Sequence, residues 1–248
     1  MIFPPRASWT RRCLLAALVA LAGLLSGCVF LRLLEVKRQL AQFDRFFQLE
    51  TSEGIKLGFL TPVLVTGDLR WLGITPEKVR TVGMSEEWRV RWVKEVPPGV
   101  TENAVRDVEI GLIFTEDKLT RLQIDEVYFA LIPKPFFVGL LRGLGTAQID
   151  RGKRDAAVQL AGDNGMDAAS ITEASLLELL GVPSERRTEG DRTHLRFRYV
   201  PTPPGAKNGV FDLTFAFNPA GRLVFLQGRS PVGQMSFNFD PAAPAPAR

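Results

Sequence analysis

One histidine, His194, and two cysteines, Cys13 and Cys28, occur in 248 residues. Any Ser–His–Asp or Cys–His arrangement would have to use that histidine. It stands in "THLRFRY", on the same alternate row as Arg196 and Arg198, with no nucleophile motif beside it. The expectation is an exposed strand residue. Metal sites built on several Cys or His ligands are excluded by count. Glu86-Glu87 and Asp125-Glu126 are adjacent carboxylates. Neighbours on a strand project to opposite faces, so neither pair is placed as an acid–base dyad. Asp163-Asn164-Gly165 lacks the spaced oxygen ligands and terminal Glu of a calcium loop and reads as a turn. There is no G-x-G-x-x-G after a strand and no phosphate loop. The residues therefore predict no enzyme, no metal site and no cofactor. The one chemical site expected is Cys28.

Cys28 closes a pattern of a different kind. The stretch "MIFPPRASWTRRCLLAALVALAGLLSGC" opens with Arg6, Arg11 and Arg12 and no acid. It continues as uncharged Leu, Ala, Val and Gly and ends in small residues, the order of a secretory signal. Leu25-Ser26-Gly27-Cys28 looks like a bacterial lipobox. The resemblance implies a signal peptide over 1–27, a diacylglycerol on the Cys28 thiol and a membrane anchor made by that lipid. The other reading is an uncleaved anchor, since Cys13 to Leu31 carries no charge and about 18 apolar residues suffice to span a bilayer. Val29 follows the cysteine, where an Asp would resemble an inner-membrane retention signal. That points to the periplasmic side of the outer membrane, with inner-membrane anchoring as the alternative.

Processing changes the charge. The 31 Lys and Arg lose three with the signal, leaving 28 against 27 Asp and Glu. A domain this close to neutral lacks the electrostatic footprint that a phosphate backbone requires, so nucleic acid is not an expected partner. Cys13 leaves as well, so no disulfide forms within one chain.

The elements that must carry any surface site are written twice. "WLGITPE" from Trp71 matches "LLGVPSE" from Leu179, and "WRVRWV" from Trp88 matches "LRFRYV" from Leu195. "PPG" at 97–99 matches 203–205, "VEIGLIF" at 108–114 matches "FDLTFAF" at 211–217, and "KLTRL" at 118–122 matches "RLVFL" at 222–226. Five matches in order predict a duplicated unit; two unrelated hairpins of similar alternation are the alternative. In the second copy Ser170-Ile171-Thr172-Glu173 has capping-box spacing. Leu176, Leu179 and Leu180 form one helical stripe, and Gly181 with Pro183 ends it. Leu195, Phe197 and Tyr199 then alternate with His194, Arg196 and Arg198 as a half-buried strand with a basic outer face. Phe211, Leu213, Phe215 and Phe217 make the next inward row, Asn218 to Gly221 a turn, and Leu223 to Gln227 a third strand. The first copy has a short helix equivalent at Asp68 to Leu72. The apolar stretch 136–144, with Gly139 and Gly143 at close-contact spacing, predicts a buried joining helix.

The second unit, roughly 165–230, resembles the BamE (SmpA/OmlA) lipoprotein domain through "SLLELLGVP", the strand ending at Tyr199 and "FDLTFAFNPAGRLVFL". The resemblance implies a helical part on a three-stranded antiparallel sheet, as in β-lactamase inhibitory proteins, and a role beside the machinery of outer-membrane protein assembly. The expected fold class is α+β: two tandem helix-plus-three-stranded-meander units joined by an apolar helix. The expected divisions are a signal at 1–27, a lipidated tether and helix at 28–50, and a first unit at 51–132. A connecting helical segment at 133–164, a second unit at 165–239 and a disordered tail at 240–248 follow. The expected function is a non-catalytic, lipid-anchored envelope scaffold or adaptor with a protein partner. The alternative is a carrier of a lipid or other apolar ligand.

Overall fold

The computed structural model describes residues 29–51, 54–101, 106–125, 127–128, 133–150, 152, 155–160, 171–202, 209–230 and 233–240. Cys28, Glu126, Asp163 to Gly165, Ser170, Pro203 to Gly205 and the tail 241–248 lie outside them. Five helices are described: α1 (Val29–Ala41), α2 (Phe43–Phe46), α3 (Thr66–Trp71), α4 (Lys134–Thr146) and α5 (Glu173–Leu180). The strands are β1 (Phe47–Glu50), β2 (Ile55–Phe59), β3 (Lys78–Val82), β4 (Ser85–Lys94), β5 (Val108–Thr115), β6 (Lys118–Ile124) and β7 (Gln148–Asp150). They continue as β8 (Asp155–Gln159), β9 (Glu185–Glu189), β10 (Arg192–Thr202), β11 (Phe211–Phe217), β12 (Leu223–Ser230) and β13 (Gly233–Asn238). None of these helices is long and apolar enough to cross a membrane.

The expectation of two small three-stranded BamE-like units is wrong. All 13 strands belong to one sheet, ordered β1-β2-β6-β5-β4-β10-β11-β12-β13-β8-β7, with β3 added to β4 and β9 to β10. The sheet is mixed, because β13 and β8 run parallel. The two halves are joined through β4 and β10, antiparallel, with Tyr199 opposite Lys94, Val200 opposite Val93, Pro201 opposite Trp92 and Thr202 opposite Arg91. Alternation within each strand was visible in the sequence. The choice of edge partner was not, and that choice merges the halves into one layer.

Residues at matched places in the two halves hold matched structural positions. Val65 and Thr172 each precede a helix, and each bridges the start of a later strand, at Lys118 and Arg222 respectively. The side chain three residues on accepts the N–H at both, with Val65 N to Asp68 Oδ2 at 3.0 Å and Thr172 N to Ser175 Oγ at 3.1 Å. The cap of α5 is therefore Thr172 with Ser175, two residues beyond the expected Ser170 start. Gly83 (φ +59°) and Gly190 (φ +61°) turn the β3–β4 and β9–β10 hairpins, conformations that glycine adopts without a Cβ clash.

Helices α1, α3, α4 and α5 all contribute to the core on one face of the sheet. Trp88, Val90 and Trp92 of β4, Leu112 and Phe114 of β5, Leu195, Phe197 and Tyr199 of β10, and Phe215 and Phe217 of β11 point into it. They meet Leu69, Phe136 and the stripe Leu176, Leu179 and Leu180. Leu195, Phe197, Tyr199 and Phe217 are fully buried, as the inward rows predict. A register shift between Ala216 and Phe217 lets both of these neighbours be buried.

The expected connecting helical segment 133–164 is also corrected. Its helix ends at Thr146, and β7 and β8 then extend the sheet. Helix α1 is already helical at Val29, the first described residue, and is locked down. Arg32 Nε and Nη2 donate to the two oxygens of buried Asp68, each at 2.6 Å, and Leu33 and Val36 pack on the main core. The end of α1 is crossed by α4. A Cβ placed on Gly145 would lie 2.1 Å from the backbone nitrogen of Ala41, and one on Gly143 would lie 2.8 Å from Val158. Backbone cannot move aside as a side chain can. Gly145→Ala is therefore expected to lower stability by about 1–3 kcal/mol, the range for overpacking, read by chemical denaturation. Gly67→Ala, where nothing lies within 4 Å, is the control.

Candidate functional site

The opposite face of the central sheet is not covered by the described helices. It carries the alternate rows of the same strands, and they are polar. In the first half, Arg89 Nε reaches Glu109 Oε1 at 3.0 Å, and Arg91 pairs with Asp107. In the second, Arg196 Nη2 donates to Asp212 Oδ2 at 2.9 Å, with Glu185 Oε2 3.3 Å from Nη1. These hydrogen bonds hold the Arg91 and Arg196 guanidiniums even more firmly protonated than usual.

Register explains why the same pairs recur. Arg89 stands opposite Gly111 and Arg91 opposite Glu109, while Arg196 stands opposite Thr214 and Arg198 opposite Asp212. The Arg89–Glu109 and Arg196–Asp212 pairs are thus the same diagonal contact, within reach of long side chains. Gln123 lies opposite Gly111 and Gln227 opposite Thr214, completing an Arg–carboxylate–Gln set in each half.

Each set sits in a depression. The larger, about 840 Å³, is bordered by Arg80, Arg89, Arg91, Arg106, Lys56 and Lys78, with Glu87, Asp107, Glu109 and Asp125 among them. The smaller, about 210 Å³, has Arg187, Arg196, Arg229 and His194 around Glu185 and Asp212. At matched places in the two floors stand Gly111, which Gln123 covers, and Thr214. Cationic side chains outnumber carboxylates in both. Asp212 Oδ1 is buried and has no hydrogen-bond partner among the described residues, so the small depression holds an acceptor ready for a donor from water or a ligand.

His194, expected to be exposed, is half-buried there, with Nε2 3.7 Å from Glu189 Oε2. Glu86 and Glu87 do point to opposite faces: Glu86 accepts from the Trp88 indole on the inner side, and Glu87 borders the large depression. Asp125 accepts the Val127 N–H at 2.9 Å. The expected lipidation site, Cys28, lies just before the first described residue. The sequence pointed to Arg196 and Arg198 as an outer row, but missed Asp107, Glu109, Asp212 and Tyr128. The repeated acid at the second place of "VEIGLIF" and "FDLTFAF" is the signal that marks two of them.

The chain matches no family model, no curated protein and no solved structure.

Tyr128 closes one side of the large depression, donating its hydroxyl to the Asp107 carbonyl at 2.7 Å. Burial, with the nearby Asp125 charge, pushes its pKa from 10 up to about 12. A raised tyrosine pKa means the neutral phenol is favoured by the fold. Its contribution is complete below pH ~10, the unfolded value, and is lost as pH rises through about 12. Phenolate absorbance is expected to show Tyr128 ionising near pH 12. Tyr128→Phe removes that titration and, at neutral pH, costs about 1 kcal/mol for the lost hydrogen bond. A normal titration near pH 10 would place the ring in water.

Proposed function

We propose that the chain is a non-catalytic, lipid-anchored adaptor of the bacterial envelope, which holds a protein partner of complementary, acidic character on its uncovered sheet face. One observation carries the reading. One side of a broad sheet is packed by the described helices, and its other side repeats an Arg–carboxylate–Gln set in two depressions with cationic excess. Antiparallel sheets tolerate one solvated face. Here that face carries ion pairs across strands within a cationic excess, and complementary charge on a partner would supply specificity and on-rate. The depressions are lined by charged groups, which suits a polar protein surface and not an apolar cargo. The anchor is the lipid on Cys28, at the outer membrane facing the periplasm.

The test is capture from detergent-solubilised envelopes with the full processed lipoprotein, followed by mass spectrometry of protein and lipid. Arg80→Glu/Arg187→Glu changes the sign of matched places in both depressions without touching the core. The reading expects one acidic protein retained by wild type at low salt, reduced at least tenfold by the double variant and by high salt, with unchanged thermal stability. Equal retention by wild type and variant would remove the sheet face as the site. A co-purifying lipid with no protein would favour a carrier. Palmitate labelling with intact mass checks the anchor separately: an unlabelled chain retaining residues 1–27 rules out the lipoprotein reading.

A further inference from the structure

Val29, the residue next to Cys28, is already helical in α1. Consecutive Cα atoms are ~3.8 Å apart, so a lipid on Cys28 would be joined to folded protein without slack. The first turns of α1 would have to lie among the lipid headgroups. Large apolar side chains are left in the open at that end of the molecule, as they are also at Leu60, Val79 and Met84. Phe30 is 59% exposed, Leu31 44%, Leu34 41%, and Trp71 of α3 is 49% exposed. Phe30 and Trp71 meet edge to face, with ring centroids 5.1 Å apart.

The patch is rigid. The bidentate Arg32–Asp68 pair ties α1 to α3 beneath it, and Gly145 of α4 abuts Ala41 at the far end of α1. Phe30 to Leu34 covers ~6 Å at 1.5 Å per residue, within the ~5–10 Å to which interfacial helices bury their apolar face. Tryptophan is favoured at that boundary because its ring is apolar with one polar edge. Lys37 follows Leu34 by three residues on α1 and carries the sign that anionic headgroups attract.

We propose that Phe30, Leu31, Leu34 and Trp71 form a wedge seated in the headgroup–acyl boundary of the bilayer, so that the protein is held in one fixed orientation. This rests on the lipidation reading for its position at the membrane. Lipid alone would let the domain rotate. The wedge adds a second, non-collinear contact, since Trp71 comes from a different helix.

The test uses the full processed lipoprotein in phosphatidylethanolamine–phosphatidylglycerol vesicles, with plain or brominated acyl chains. Trp9 leaves with the signal, and Trp88 and Trp92 are buried at 2% and 8% exposure, so Trp71 is the indole within reach of bromine. The expected result is loss of emission in brominated vesicles for wild type and no such loss for Trp71→Phe, with equal vesicle binding and circular dichroism. An acylated, vesicle-bound protein whose emission is the same in both lipids overturns the wedge and leaves the lipid anchor standing. Trp71 shielded from both bromine and aqueous iodide also overturns it, in favour of a protein on the patch. Bromine quenching of an unacylated chain, identified by intact mass, keeps the wedge and removes the lipidation reading.

Discussion

Where β4 and β10 run side by side, Val93 faces Val200, Lys94 faces Tyr199 and Trp92 faces Pro201. Trp92 and Tyr199 hold matched places in the two repeated phrases, as do Lys94 and Pro201, so the ladder is symmetric about the valine pair. The Arg198 carbonyl accepts from the Glu95 N–H at 2.8 Å. By the two-residue period of a strand, Val200 then also directs its backbone groups toward β4, and Pro201 directs its own away. On that other side β11 has already ended, at Phe211 opposite Tyr199. Pro201 therefore occupies a central strand where no donor is required of it, which reconciles it with the rule that confines proline to edges. Thr202 adds a side-chain bond to the Arg91 carbonyl at 3.2 Å.

The division of labour between the two faces follows from this junction. Joining the halves edge to edge puts both inward rows on the same side, so one helical layer can cover them, and Trp88, Val90, Leu195 and Phe197 share a core. A polar inner residue in the middle is accommodated rather than excluded: Lys94 is 2% exposed, with its ammonium 5.7 Å from the centre of the Phe197 ring, a geometry in which the ring face attracts the cation. The same step puts both outer rows on the opposite side, so the two Arg–carboxylate sets lie on one face of the sheet. Charged strands β9 and β3 flank the junction. β9 keeps charged residues of both faces in ion pairs, Arg187–Glu189 on the open face and Arg186–Glu173 toward α5, a usual protection for a short edge.

What the sequence shows of this is local. The alternation in "LRFRYV" places Leu195, Phe197 and Tyr199 inward, and the Leu176–Leu179–Leu180 spacing with Gly181 defines α5 and its end, because each rests on side-chain period and backbone conformation alone. The cap of α5 was displaced by two residues since Ser170 and Thr172 both offer an oxygen three places before a suitable residue. The Thr172–Arg222 bridge, a contact between distant parts of the chain, selects between them. The segment 148–159 gives no strand signal, being short and charged. It becomes β7 and β8 because β13 presents an edge, and strand propensity depends on such context. The site was half legible for the same reason: Arg196 and Arg198 read as an outer row, but the carboxylate partners are fixed by register between strands.

The junction can be tested directly by disulfide trapping. Cysteines at Val93 and Val200 would face each other across it, and Cα atoms of hydrogen-bonded antiparallel pairs lie ~5.5 Å apart, inside the range a disulfide spans. Thr188 and Thr193, opposed in the β9–β10 hairpin, provide the positive control. The single sheet predicts that the Val93→Cys/Val200→Cys protein forms an intrachain disulfide under mild oxidation as completely as the Thr188→Cys/Thr193→Cys control, with native circular dichroism. A control that closes while the 93–200 pair stays reduced would contradict the joined sheet and separate the two halves.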